Sequence, residues 1–238
     1  MKNILITGGS RGIGADMVRL FSEKGCSVAF TYKNSEEKAL YLAKETKSLA
    51  ICADNASESE VISAVKKAND FFGSVDVLIN NAGISSFSLF TDITSEEWRK
   101  IFAVNVDGAF YFTKAVLPKM IQKKQGRIIN ISSMWGVSGS SCEVHYSAAK
   151  AALIGMTKAL AKEVGPSGIT VNCIAPGVIS TDMNASLSED DIKALKEDTP
   201  LGKIGLPRDI SNTAYFLSSD DAGFITGQII SVDGGFIV

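Results

Sequence analysis

The stretch that decides the fold is Asn3-Ile-Leu-Ile-Thr-Gly-Gly-Ser-Arg-Gly-Ile-Gly14. Asn3–Ile6 has the pattern of a short buried strand, and the amphipathic stretch that follows predicts a helix ending near Lys24. Glycines at positions 8, 12 and 14 allow a tight turn, a close approach of backbone to a pyrophosphate and close packing of the helix on the sheet. Free N–H groups at a helix N-terminus attract an anion. Glycine-rich loops also make ordinary turns, but a strand before the loop and a helix after it favour a dinucleotide-binding site.

The alternation of short apolar runs with longer amphipathic stretches continues along the chain, and no linker or low-complexity segment interrupts it. This alternation predicts one α/β domain over residues 1–238, a Rossmann-type doubly wound parallel sheet of about seven strands with helices on both faces. A long helix is expected from Ser95 to about Lys123, with a bend or a boundary at Pro118, and residues 182–206 are expected to form a substrate lid. The predicted strands are Asn3–Ile6, Val28–Tyr32, Leu49–Ala53, Val75–Ile79, Arg127–Ile131, Ile169–Ile174 and Gln228–Val232.

The composition excludes several classes of function. Lys and Arg number 24 against 26 Asp and Glu, and this net charge of -2 argues against a nucleic-acid partner. The four cysteines are scattered without a C-x-x-C pair, which predicts free thiols in a reducing compartment. We expect neither a signal peptide nor a membrane span, because the N-terminus enters a strand pattern at once and no apolar run approaches about 18 residues. The expected location is therefore the cytoplasm.

The end of the second predicted strand bears on which dinucleotide is bound. A carboxylate there would bind the ribose 2′-hydroxyl of NAD and repel the 2′-phosphate of NADP. The sequence has Lys33, Asn34 and Ser35 instead, and the first acid is Glu36 in the following helix. Arg11 and Lys33 are cations of the kind that bind a 2′-phosphate, although both also fit simple surface positions. We therefore predict NADP(H) as the cofactor.

A second stretch, Ser132 to Lys150, holds the residues suited to chemistry. Tyr146 and Lys150 are four residues apart, so on a helix they share one face. A nearby ammonium favours the phenolate, so Lys150 is expected to lower the pKa of Tyr146 from about 10 and make it a proton shuttle. Ser133, near a predicted strand end, is suited to hold a substrate oxygen as charge develops on it. A Tyr-x-x-x-Lys pair also occurs by chance in many helices, so its significance depends on the motifs around it.

With these residues in view, the chain resembles the short-chain dehydrogenase/reductase family over essentially its whole length. The resemblance implies that Tyr146 is the general acid/base and that Ser133 orients the carbonyl or hydroxyl. It also implies that Lys150 binds the nicotinamide ribose and lowers the pKa of Tyr146, while Asn105 holds a water of the proton relay. The motifs that carry the resemblance are Thr7-Gly8-x-x-x-Gly12-x-Gly14, Asn80-Asn81-Ala82-Gly83, Asn105, Ser133 with Tyr146-x-x-x-Lys150, and Pro176-Gly177.

The resemblance further implies which residues surround the cofactor. Asp54 and Asn55 match the pair that meets the adenine ring, and Ile179 and Thr181 match contacts to the nicotinamide carboxamide. The expected cofactor-binding set is Gly8, Ser10, Arg11, Gly12, Ile13, Gly14, Lys33, Asp54, Asn55, Asn81, Ala82, Gly83, Tyr146, Lys150, Pro176, Gly177, Ile179 and Thr181.

Within the family, the similarity is greatest to reductases of 3-oxoacyl groups on acyl carrier protein, and it implies reduction of a 3-oxoacyl thioester with an acyl carrier protein as partner. Two departures matter. Ile84-Ser-Ser-Phe-Ser-Leu-Phe90 stands where those reductases have a Thr-Arg-Asp segment, and Ser167 stands where many carry an arginine that meets the carrier. An NADP-linked dehydrogenase of a sugar, polyol, steroid or other secondary alcohol is therefore an alternative. A non-catalytic dinucleotide sensor is a third hypothesis, disfavoured because a sensor needs no proton relay.

Two further expectations concern His145 and the assembly. His145 is the only histidine, so it cannot form a metal cluster, and it is expected to be a loop residue packed near the site entrance. No metal site is predicted. The family resemblance implies a homotetramer built through the long helices around Asn105 and Tyr146–Val164.

Overall fold

The strands of this computed structural model, which describes residues 1–181 and 188–237, all lie in one parallel sheet. They are β1 (Asn3–Ile6), β2 (Ser27–Tyr32), β3 (Leu49–Cys52), β4 (Val77–Asn80), β5 (Gly126–Ile131), β6 (Ile169–Pro176) and β7 (Ile229–Val232). Their order across the sheet is β3-β2-β1-β4-β5-β6-β7. The predicted doubly wound parallel sheet is therefore confirmed.

Helices cover both faces of this sheet, which explains why its strands are apolar runs rather than alternating ones. Successive side chains of β1 point to opposite faces, so Ile4 and Ile6 pack in one core with Phe21, whereas Leu5 packs in the other with Phe112. The helices are α1 (Gly12–Glu23), α2 (Glu36–Thr46), α3 (Glu58–Phe72), α4 (Ser95–Phe102), α5 (Gly108–Lys123), α6 (Met134–Ser138), α7 (Val144–Val164), α8 (Glu189–Asp198) and α9 (Pro207–Ser218).

The order of the strands determines where a ligand can bind. β1 pairs with β2 on one side and with β4 on the other, so the chain winds in opposite directions from this point. Ligands of open α/β sheets bind outside the carboxyl ends of the strands at such a switch point. Thr7, Asn81 and Ser132 follow directly after β1, β4 and β5, and they lie at this edge of the sheet.

The long helix predicted from Ser95 to about Lys123 is divided, but not at Pro118. α4 ends at Phe102, Ala103–Asp107 forms a π-helical turn, and α5 then continues through Pro118. The Asn105 side chain supplies the physical reason, because its Nδ2 donates to the Ile101 carbonyl at 2.9 Å and so takes up an acceptor of the regular helical ladder.

Smaller differences affect the ends of elements. β4 begins at Val77 rather than at residue 75, and β6 extends to Pro176 rather than to residue 174. The predicted lid, residues 182–206, lies partly outside the described residues; of its described part, Glu189–Asp198 forms α8. No helix of the described ranges is long and apolar enough to cross a membrane.

Candidate active site

The loop between β1 and α1 forms a cradle with the chemistry that a pyrophosphate requires. Gly12 has a φ of +52°, a left-handed conformation that favours glycine. A Cβ at Gly14 would collide with the Gly8 carbonyl oxygen, so only glycine lets α1 start this close to β1. Arg11 precedes α1 without a side-chain cap, which leaves the first N–H groups of this helix to bind an anion.

The Thr7 hydroxyl, which was not among the predicted site residues, joins this cradle to the end of β4. Thr7 Oγ1 accepts hydrogen bonds from the backbone N–H groups of Asn81 and Ala82, both at 3.0 Å. Asn81 Nδ2 returns two bonds, to the carbonyl oxygens of Thr7 at 2.9 Å and Gly8 at 3.1 Å. The two loops on either side of the switch point therefore hold one another in place.

A cleft of about 640 Å³ runs along the carboxyl edge of the sheet. This volume lies within the range of about 300–1,000 Å³ that ligand pockets span. Every residue of the expected cofactor-binding set lines it, together with Ser133, whereas Asn105 does not. Residues that line the cleft without having been predicted are Thr31, Tyr32, Asn34, Ser35, Ala53, Ile84, Ser85, Lys100, Val104, Ile131 and Ser132.

The cations predicted to bind a 2′-phosphate both line the cleft, but they differ in their surroundings. Lys33 Nζ forms an ion pair with Asp54 Oδ2 at 2.5 Å, so the predicted phosphate ligand and the predicted adenine ligand contact each other. Within the described part of the chain, the exposed Arg11 guanidinium has no hydrogen-bond or ion-pair partner. Asn34 and Ser35 complete this end of the cleft, and neither carries a charge.

The hydroxyl, the phenol and the amine predicted to share chemistry converge at the other end of the cleft. Ser133 caps α6, its Oγ accepting from the Trp135 N–H at 3.1 Å, and its hydroxyl acts to lower the pKa of the Tyr146 phenol. Lys150 Nζ donates to the Ile131 carbonyl at 2.9 Å and lies 5.6 Å from the centroid of the Tyr146 ring. Ser132 Oγ donates to the Lys150 carbonyl at 2.8 Å, which fastens α7 to the end of β5.

The predicted lowering of the Tyr146 pKa is absent from this structure. Burial raises the pKa of Tyr146 to about 12, more than the Ser133 hydroxyl lowers it, and the Glu143 carboxylate raises it further. Burial likewise lowers the pKa of Lys150 to about 8. The prediction was wrong here because the ammonium lies over the ring and bonds to the Ile131 carbonyl, while both groups are withdrawn from water.

Asn105 lies behind the cleft with an unused acceptor. Its Nδ2 donates to the carbonyls of Ile84 and Ile101, both at 2.9 Å, while its Oδ1 is buried without a hydrogen-bond partner among the described residues. A Cβ placed on Gly83 would lie 2.6 Å from that Oδ1 and 3.1 Å from Lys150 Nζ. The amide oxygen and the amine therefore face the same backbone position, and Gly83 keeps the space between them open.

His145 is not the loop residue expected from the sequence. It is the second residue of α7, and its side chain is fully buried. Its Nε2 lies 2.6 Å from Ser86 Oγ and 3.7 Å from Glu97 Oε1. Within residues 1–181 and 188–237, no group of three or more His, Cys, Asp or Glu side chains could hold a metal ion.

A glycine cradle at the switch point and a phenol, hydroxyl and amine at the far end of one cleft define a dinucleotide-dependent oxidoreductase. A family model described as enoyl-(acyl carrier protein) reductase matches residues 8–237. The chain belongs to the short-chain dehydrogenase/reductase family, and the predicted resemblance is confirmed.

Individual relatives agree with this assignment over nearly the full length. The 3-oxoacyl-[acyl-carrier-protein] reductase FabG of Chlamydia trachomatis is 41% identical over 98% of this chain and 96% of its own. The enzyme of the same name from Vibrio cholerae is 42% identical over the same two shares. A solved structure, a mutant of a Serratia marcescens short-chain dehydrogenase/reductase, superimposes with a TM-score of 0.93 at 35% identity, covering 99% of this chain and 97% of the other. The family implies a nicotinamide dinucleotide as the cofactor of this chain.

Proposed function

We propose that this protein is an NADPH-dependent reductase of a 3-oxoacyl thioester, working on a chain carried by an acyl carrier protein. The observation that carries the proposal is the position of Ser133, Tyr146 and Lys150 together in a cleft that is also lined by the whole expected cofactor set. Relatives at 41% and 42% identity are named for this reaction. The proposed catalytic residues are Asn105, Ser133, Tyr146 and Lys150.

The roles of these residues follow from their donors and acceptors. The nicotinamide cofactor supplies a hydride to the carbonyl carbon when it is bound. Tyr146, neutral with a pKa of about 12 in the free protein, then gives its proton to the carbonyl oxygen. The Ser133 hydroxyl donates to the same oxygen, where negative charge develops. Lys150 and the unpaired Oδ1 of Asn105 face the space beside Gly83 through which a proton can return to the phenolate.

Preference for NADPH over NADH is supported by charge at the adenosine end of the cleft. Arg11 and Lys33 line that end, whereas residues 33–35 include no carboxylate that could repel a 2′-phosphate. Arg11 is the stronger candidate, because its guanidinium can bind a phosphate with two donors and Lys33 already pairs with Asp54.

One set of assays distinguishes the proposed ketone reduction from the alternative reactions. The family model's description names reduction of a carbon–carbon double bond, whereas the named relatives reduce a ketone. We expect NADPH absorbance to fall with acetoacetyl-coenzyme A and faster with acetoacetyl-acyl carrier protein, but not with crotonyl-coenzyme A. Turnover of crotonyl-coenzyme A alone would replace the proposed reaction with enoyl reduction. Turnover confined to sugar, polyol or steroid alcohols with NADP would replace the substrate class.

A further inference from the structure

A buried polar cluster beside the proposed site contains the only histidine, and the reaction proposed above does not use it. His145 Nε2 contacts Ser86 Oγ at 2.6 Å, and Ser86 Oγ donates to Glu97 Oε1, also at 2.6 Å. The three residues belong to three different parts of the chain: the start of α7, the segment after Gly83 and helix α4. His145 has no exposed surface at all.

The donor and acceptor atoms of this cluster follow from the number of hydrogen atoms that each group can donate. Ser86 has one hydroxyl hydrogen, and the Glu97 carboxylate, which can only accept, receives it. His145 Nε2 therefore donates the hydrogen that Ser86 Oγ accepts. His145 Nδ1 is buried without a hydrogen-bond partner in the described ranges.

This arrangement does not serve nucleophilic catalysis. In a Ser-His-Asp triad, the serine contacts one ring nitrogen and the carboxylate orients the other. Here the hydroxyl and the carboxylate lie on the same side of the imidazole, and the hydroxyl hydrogen points to Glu97 rather than to the histidine. The cluster therefore holds elements together instead of activating Ser86.

The cluster attaches segment 84–88 to its neighbouring helices. Ile84 and Ser85 line the cleft, and the Ile84 carbonyl accepts from Asn105 Nδ2. The Ser88 N–H donates to the Cys142 carbonyl at 2.8 Å, just before α7. The Ser86 bonds add the third attachment and the only one made by a side chain of the segment to both α4 and α7 within the described chain.

We propose that His145 is a positioning residue that, through Ser86 and Glu97, holds segment 84–88 against α4 and α7 and so shapes the place where the ketone substrate binds. The expected effect on the ketone KM rests on the proposed reductase function. The expected effect on the position of segment 84–88 does not. Because Ile84 and Ser85 line the cleft and the cofactor cradle lies on other loops, release of the segment should weaken substrate binding more than cofactor binding.

Steady-state kinetics with acetoacetyl-coenzyme A and NADPH test the proposal. In His145→Leu and Ser86→Ala, we expect the KM for the ketone to rise about tenfold, while the KM for NADPH stays within about twofold of wild type. His145→Gln places an amide donor where Nε2–H stands, so it should restore the ketone KM to within about threefold of wild type. If His145 had only a general structural role, His145→Leu would lower Tm without raising the KM for the ketone more than the KM for NADPH.

Amide hydrogen exchange of the free protein supplies a readout that needs no substrate. Residues 84–90 should exchange about tenfold faster in His145→Leu and at the wild-type rate in His145→Gln. Ser88→Ala is the matched control, since among the described residues the Ser88 hydroxyl forms no hydrogen bond and its N–H contact to Cys142 remains. Equal exchange in wild type and His145→Leu would overturn the inference, as would an unchanged ketone KM. A wild-type protein that reduces no ketone, with the exchange difference present, would overturn only the proposed reaction.

Discussion

At the scale of single residues, Tyr146 is a buried phenol that lines the cleft together with Ser133 and Lys150. Tyr146→Phe removes one oxygen and keeps the ring over which Lys150 lies. We expect kcat to fall by about 10²–10⁴-fold, the range for a general acid, while the Kd for NADPH changes little. Stopped-flow or steady-state rates with fluorescence titration of NADPH measure the two quantities. A mutant with near-wild-type kcat would contradict the proposed role.

Lys150 gives a prediction about stability against pH. Its pKa is about 8 in the folded protein because of burial, below the ordinary value near 10.5, so the unfolded chain keeps the proton that the folded chain loses. The contribution of Lys150 to the free energy of unfolding is complete above the pKa that it has in the unfolded chain. This contribution declines as the pH falls toward 8. The free energy of unfolding should therefore rise by about 1 kcal/mol from pH 7 to pH 9.

Urea unfolding at both pH values measures this change, with Lys150→Met as the comparison. The methionine fills a similar volume without a titrating group, so its stability should lack the added rise. Tyr146 does not confuse the comparison, because its raised pKa affects stability only from about pH 10 upward. A parallel rise in both proteins would contradict the assignment to Lys150.

The two cations at the adenosine end are predicted to be unequal. Arg11→Ala should raise the KM for NADPH about tenfold and Lys33→Ala by less, because Lys33 shares its charge with Asp54. Neither change should alter the KM for NADH by more than about twofold. Kinetics with both cofactors at saturating ketone measure these values. Equal effects on NADPH and NADH would reject the 2′-phosphate assignment.

The residues of the site that sequence analysis identified are those whose type is dictated by local backbone or by chemistry. Glycines of the cradle belong to this class, as do Ser133, Tyr146 and Lys150, and all of them line one cleft. The contacts it missed join distant parts of the chain. Thr7 binds Asn81 across 74 positions, and His145 binds Ser86 across 59, so no periodicity of a single element reveals these contacts. The pKa of Tyr146 was mispredicted for a similar reason, since burial is a property of the folded molecule.

At the scale of elements, β4, β5 and α7 are joined by buried amides that look like interruptions of apolar strands in the sequence. Asn80 Nδ2 donates to Thr113 Oγ1 at 3.1 Å and to Asn130 Oδ1 at 2.9 Å. Asn130 Nδ2 in turn donates to Thr157 Oγ1 at 2.8 Å. The sequence pattern predicted the positions of these elements along the chain. It did not predict which polar side chains pair, because that depends on which strands are neighbours in the sheet.

Asn130→Leu tests whether this network stabilises the sheet. The change leaves an N–H of Asn80 unpaired in the interior, so the free energy of unfolding should fall by about 1–3 kcal/mol. Urea denaturation of the mutant and of wild type measures the difference. Asn212→Leu, on the exposed face of α9, is the matched control and should change stability by less than about 0.5 kcal/mol. Similar losses in both mutants would show that the network is not the cause.

At the scale of the whole molecule, the sheet order brings residues from opposite ends of the chain to one edge. Gly8, Tyr146 and Thr181 line the same cleft because each follows or faces the carboxyl end of a parallel strand. The sequence predicted this arrangement from the repeated βαβ pattern together with the direction that parallel strands share. It could not predict the division at residues 103–107, because the break comes from the side chain of Asn105 rather than from proline.

The outer face of α7 bears on the homotetramer that the family resemblance implies. Ala151, Gly155 and Ala159 are exposed at intervals of four residues, and a Cβ on Gly155 would meet no atom within 4 Å. A glycine inside an exposed helix costs about 1 kcal/mol relative to alanine, so in a lone chain nothing would favour it here. Close approach of α7 from a second copy would explain both the glycine and its small neighbours.

Gly155→Arg distinguishes a lone chain from a tetramer built through α7, because it should stabilise the first and destabilise the second. For a lone chain, arginine improves helix propensity and should raise stability by up to about 1 kcal/mol without changing the mass. For a tetramer built through α7, the arginine fills the space that the partner helix needs, so the assembly of four 25.3-kDa chains should dissociate into smaller species with a lower Tm. Light scattering after size-exclusion chromatography measures the mass, and Ser63→Arg, on the exposed face of α3, serves as the control that adds the same side chain to a different helix. An unchanged mass with a raised Tm in Gly155→Arg would contradict the expected tetramer.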